Sequence, residues 1–198
     1  MFLSFWKTPT LAERHKTLEN EVNFFFPIIG GWPTKIQSQA EANVIHKRWT
    51  KAEKIARSLF EEQPANLDVK FLTAELLRMG HNLGVPNVAQ LSDTMFQQII
   101  VLEPENPRGY FSLASLYVTS NASLAPEAER LFRKAEGLMG SKVDPNVYQG
   151  LGFACVYQNK IPEAIVNIET YLRSCPSPEF QQMVTALKSG KKPEIIQK

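Results

Sequence analysis

The residue types that most often do chemistry are few in this chain, and none is arranged for it. His15, His46 and His81 are scattered, and the only cysteines are Cys155 and Cys175. Neither the Cys-x-x-Cys nor the His-Glu-x-x-His spacing that converges on a metal occurs. The glycine-rich loops that cradle phosphates are missing too. Gly150-Leu151-Gly152 lies within helical periodicity, where its glycines serve close packing. Cys155 takes an apolar place on the same helix and reads as a small buried hydrophobe, not a nucleophile. The two cysteines fall near opposite ends of a predicted antiparallel helix pair, too far apart for a disulfide. A reducing, cytoplasmic compartment is therefore expected. No catalytic, cofactor-binding or metal-binding residue is assigned, and the chain is not expected to be an enzyme.

With chemistry absent, the elements themselves become the subject. A chain of 198 residues can bury roughly 70% of its unfolded surface as one domain. At 43% hydrophobic and 21% charged residues it has the composition of an ordinary soluble domain. No apolar run reaches the roughly 20 residues that span a bilayer. The opening Met1-Phe2-Leu3-Ser4-Phe5-Trp6 stops at Lys7 and lacks a basic n-region, so no secretion signal is expected. A formal charge of +2 is too small to point to nucleic acid.

The C-terminal half carries an internal repeat. Tyr148, Leu151, Gly152 and Cys155 are followed by Ala164, Ile168 and Tyr171, and Pro176 closes the unit. Leu76, Met79, Gly80 and Leu83 begin a second such series, continued by Ser92, Phe96 and Ile99 and closed by Pro104. The spacing from Leu76 to Pro104 equals that from Tyr148 to Pro176. Between them Tyr110, Leu113, Ala114 and Tyr117 precede Ala128, Phe132 and Ala135 in a longer unit without a closing proline. Small residues at fixed places let two helices approach, and large ones fill the gaps beside them.

This pattern resembles the tetratricopeptide repeat family over 73–178, and weakly outside it. The resemblance implies an all-α fold, a right-handed solenoid of antiparallel helix pairs with a C-terminal capping helix. It divides a single helical domain, 1–198, into irregular N-terminal helices (1–72), repeats at 73–106, 107–144 and 145–178, and a cap with a basic tail (179–198). In that family the first helices of successive pairs line a concave groove that holds partner peptides. Carried over, the groove positions are Leu77, His81, Arg108, Phe111, Ser115, Val118, Asn146, Gln149, Phe153, Val156 and Tyr157. The family's clamp for a terminal carboxylate meets Leu77, His81, Ser112, Asn146 and Gly150 here and is essentially missing. The expected function is a non-catalytic scaffold, adaptor or assembly factor holding a peptide or helix of another protein in an apolar groove. A dedicated chaperone for one client, or a peripheral membrane or RNA binder, is the alternative. Phe111, Phe153 and Tyr157 are expected to form one solvent-open aromatic strip.

Helical spacing predicts nine helices, over 9–26, 36–63, 67–83, 88–102, 107–119, 125–139, 146–158, 161–174 and 178–188, and no strand. Thr10-Leu11-Ala12-Glu13 has the form of a capping box, Pro27 should stop the first helix, and Ser177-Pro178 should start the last. Two further surfaces stand out. Lys47, Lys51 and Lys54 share a helical face flanked by Arg48 and Arg57, while Lys188, Lys191, Lys192 and Lys198 crowd the C-terminus. Glutamates dilute the first group, which favours a solvated face. Phe2, Phe5, Trp6, Phe24, Phe25, Phe26 and Trp32 are seven of the chain's twenty aromatics. They fit three uses: folding back on the array, docking a partner, or resting on a membrane surface through residues 1–32.

Overall fold

The computed structural model describes residues 8–191. These form nine α-helices and no strand. They are α1 (Leu11–Ile29), α2 (Gln39–Glu62), α3 (Leu67–Asn82), α4 (Val88–Leu102), α5 (Pro107–Ser120), α6 (Ala125–Met139), α7 (Pro145–Tyr157), α8 (Ile161–Ser174) and α9 (Pro178–Lys188), with a short 3-10 turn at Ala122–Leu124. Phe2, Phe5 and Trp6 of the aromatic group, and Lys192 and Lys198 of the basic tail, lie outside the described residues.

The chain divides into two compact units, 1–92 and 93–198, with α4 beginning in the first and continuing in the second. In the first unit α1, α2 and α3 pack on one another in all three pairings. In the second, α5, α6 and α7 do the same, α8 packs on α7, and α9 on α8.

The helix starts follow local chemistry. Thr10 and Glu13 close the capping box, Thr10 Oγ1 accepting from the Glu13 backbone and Glu13 Oε2 from the Thr10 N–H at 2.7 Å. Asn66, Asn106 and Asp144 cap α3, α5 and α7 by accepting from backbone N–H groups two residues on. At α9, Ser177 accepts from the Phe180 N–H and Pro178 takes the first helical position.

Pro27 does not stop α1, which runs on to Ile29. The last turn survives because tertiary contacts hold it. Ile29 is fully buried, and the C-terminal carbonyls that a helix leaves unbonded are met from α3. Asn82 Nδ2 donates to the Ile29 carbonyl at 2.8 Å and Arg78 Nη1 to that of Gly30 at 2.6 Å. Arg78 itself is 0% exposed and paired with Glu75 at 2.8 Å.

The spacing gave Gly80 the close-approach place within a helix pair, and that assignment is corrected. Gly80 lies against α2, where an added Cβ would come within 2.3 Å of the Trp49 ring. The place facing the next helix belongs to Ala74, whose carbonyl accepts from Ser92 Oγ at 2.9 Å. α3 starts at Leu67 and is buried without a break from Thr73 to Gly80.

Gly152 does face its own pair. A Cβ there would meet Ile168 Cγ1 at 2.5 Å. Gly152→Leu is therefore expected to destabilise the fold by about 1–3 kcal/mol or more through overpacking. Lys51 stands exposed on α2, and Lys51→Ala should stay within about half a kcal/mol of wild type. Urea unfolding of the two variants checks this, and equal midpoints would place the core elsewhere.

Candidate partner-binding face

In the second unit α6 packs on both α5 and α7, so these two lie side by side with their far sides turned away from α6. The positions Arg108, Ser115 and Val118 on α5 recur one repeat later as Asn146, Phe153 and Val156 on α7. Arg108 is exposed, while Phe111, Ser115, Asn146, Gln149, Val156 and Tyr157 are each partly exposed. Leu77 and His81 belong to the first unit.

The solvent-open aromatic strip is corrected. Phe153 is only 4% exposed, because α9 sets Phe180 edge-on against it at 5.8 Å between ring centroids. Tyr171 of α8 also packs edge-on with Phe180 at 5.2 Å, making a three-ring cluster across α7, α8 and α9. Phe111 leans toward α6, edge to face with Phe132 at 5.9 Å. Leu77 and Val118 are likewise buried, at 5% and 8% exposure. Leu77 sits in the stretch of α3 that is enclosed on every side, and Val118 is taken up in the packing of α5.

What stays accessible is chiefly polar. The Ser115 hydroxyl donates to the Phe111 carbonyl at 2.8 Å, and Asn146 Nδ2 to Asp144 Oδ1 at 2.8 Å. Both groups keep acceptor lone pairs for a ligand. Burial pushes the Tyr157 phenol above its ordinary range. Of the positions where the family carries its carboxylate clamp, Ser112 is buried and Gly150 backs directly on the Phe132 ring. Neither can hold an anion.

Other groups with chemical potential are absorbed by packing. Cys155 is buried in α7, and burial foremost pushes its thiol up, away from the reactive thiolate. Cys175 is also a free thiol. Tyr117 donates to Asp93 Oδ1 at 2.7 Å, and burial followed by that carboxylate pushes its phenol up to about 12. This contact pins α4 to α5. Lys160 and Gln158 both reach Glu129 Oε2 at 2.7 Å, tying the end of α7 to α6. Among the described residues no group of three or more His, Cys, Asp and Glu side chains could hold a metal ion. No helix among them is long and apolar enough to cross a membrane.

The ring cluster around Phe180 was missed from the sequence, although α9 and its apolar residues were expected. The signal available was the aromatic pair Tyr171 and Phe180 on helices joined by a short link, but nothing local says which third ring they enclose.

Comparison with protein-family models, with curated proteins and with solved structures finds no match.

Proposed function

We propose that this chain is a non-catalytic helical-repeat scaffold of tetratricopeptide type, a right-handed solenoid that holds a segment of another protein against the far sides of α5 and α7. The observation that supports this best is the packing of one first helix on the next in the second unit. α5 and α7 touch directly while α6 covers both from one side, which leaves the opposite sides free to act together. The same three-helix relation recurs in α1, α2 and α3, as a repeating supersecondary unit requires.

The chemistry of the face narrows the partner. With Phe153 sealed by α9, the accessible groups are Arg108, Ser115, Asn146 and Gln149, edged by the half-buried Phe111, Val156 and Tyr157. Amide and hydroxyl side chains suit the backbone of an extended peptide, and the half-buried apolar rims suit its side chains. A partner chosen this way is held by many modest contacts, not by one aromatic anchor.

Site-specific photocrosslinking tests the reading. A benzophenone amino acid placed at Gln149 or Arg108 should cross-link a discrete partner protein in cells. Placed at Arg173, exposed on α8, it should give little product. A single stoichiometric product would mark a dedicated chaperone, and several would mark an adaptor. Equal products from all three positions, or none, would remove the proposal.

A further inference from the structure

The first unit pairs all four of its arginines with carboxylates. Arg14 meets Glu62, Arg48 meets Glu21, Arg57 meets Glu53, and Arg78 meets Glu75. Lys47, Lys51 and Lys54 break that habit. All three are exposed on α2 and none has an ion-pair partner among the described residues. Steps of four and three residues keep them on one helical face, along about 10 Å of axis. The glutamates that seemed to dilute this face do not cancel it. Glu53 and Glu62 are held by Arg57 and Arg14, which leaves Glu41, bonded to the Gln37 N–H in the first turn, and Glu61 beyond the far end of the row.

The row begins beside exposed apolar groups. Val44, one turn before Lys47, is 66% exposed, and Phe26 near the end of α1 is 39% exposed. α1 and α2 are antiparallel, as Arg14–Glu62 and Arg48–Glu21 require. The end of α1, the partly exposed Trp32, the exposed Lys35 and the start of α2 therefore share one end of the helix pair. The charge of Arg48 is already met, because its guanidinium stacks over Phe24 at 3.3 Å as well as pairing with Glu21. The free charge of this end is thus carried by lysines, and its apolar surface by Phe26, Val44 and Trp32.

We propose that this end of the α1–α2 pair, continued along the lysine row, is a docking surface for an anionic lipid bilayer. A bilayer rewards both halves of the surface. Its anionic headgroups attract flexible lysines without requiring fixed geometry, and its interface accepts aliphatic and aromatic side chains that water disfavours. A single-stranded nucleic acid would use the lysines and stack on Phe26 and Trp32, but it gains nothing from Val44, the most exposed of the three apolar groups named, which has no face on which a base can stack. This surface lies wholly within the first unit.

The test uses the full chain and vesicles of phosphatidylcholine with or without phosphatidylserine, read by co-sedimentation. Binding should need phosphatidylserine and weaken steadily as salt rises. Replacing all three lysines, Lys47→Gln, Lys51→Gln and Lys54→Gln, should cut partitioning by about a hundredfold, since each lysine near an anionic surface contributes roughly fivefold. Phe26→Ser with Val44→Ser should cut it by about tenfold or more. These side chains are exposed, and circular dichroism should confirm that helix content is kept. The salt titration of wild-type protein stands independently of any variant. The proposal is overturned by equal binding to vesicles lacking phosphatidylserine, by binding indifferent to the lysines, or by binding indifferent to Phe26 and Val44. It is also overturned if poly-uridine RNA binds through the same lysines while vesicles do not.

Discussion

Arg78→Ala is expected to lower the unfolding free energy by about 3–5 kcal/mol, the usual cost of removing one partner from a buried ion pair. Arg78 is fully enclosed and makes contacts no smaller residue can replace. Its Nε and Nη2 both donate to Glu75 Oε2, at 3.2 and 2.8 Å, and Nη1 donates to the Gly30 carbonyl at 2.6 Å. Alanine would leave the Glu75 carboxylate buried without a counter-charge and the Gly30 carbonyl without this donor. Both are penalties on the folded state, because the unfolded chain offers water to each group. The loss should be read as a fall in urea midpoint with helix content largely kept below it. A double replacement, Arg78→Met with Glu75→Leu, separates charge from shape. It removes the desolvated pair together and should recover most of the loss. If Arg78→Ala unfolds within about 1 kcal/mol of wild type, water reaches this pair and Arg78 does not hold the end of α1.

That contact also explains where local sequence reasoning reached and where it stopped. Caps were legible because their physics spans three or four residues. Thr10 with Glu13 and Ser177 with Pro178 needed nothing beyond their own backbones, and α4, α6, α8 and α9 fall on the residues that helical spacing predicts. Pro27 was misread because the rule that proline ends a helix weighs only the chain before it. The turn after it is held by Asn82 and Arg78, about fifty residues downstream. Gly80 was misread for a related reason. Met79-Gly80 fits the small-residue place of the repeat as text, but the requirement is a small side chain opposite the following helix. Ala74 meets it, as its bond from Ser92 attests. The periodicity could not choose between the two, since α3 is buried on all sides there and carries no exposed stripe to fix its phase.

Phe153→Ala should be the most costly change on the face that the repeat pattern assigns to a partner, and its cost should appear in stability before binding. Burial of a phenylalanine and the cavity left by its removal together contribute about 3–5 kcal/mol. Phe153 qualifies, being almost fully covered and in edge-to-face contact with Phe180. Phe111, partly exposed and resting on Phe132, should lose less when truncated, because part of its surface is already in water. Phe180→Ala tests the origin of the burial. If α9 is what seals Phe153, both single variants lose stability, and the double variant loses less than their sum. The shortfall should be about 0.5–1.5 kcal/mol, the value of one aromatic pair beyond its buried area. The opposite pattern is equally definite. Should Phe153→Ala leave the thermal midpoint unmoved while abolishing capture of a cross-linked partner, α9 would be yielding its seat to the ligand. The partner would then be held by the aromatic strip after all.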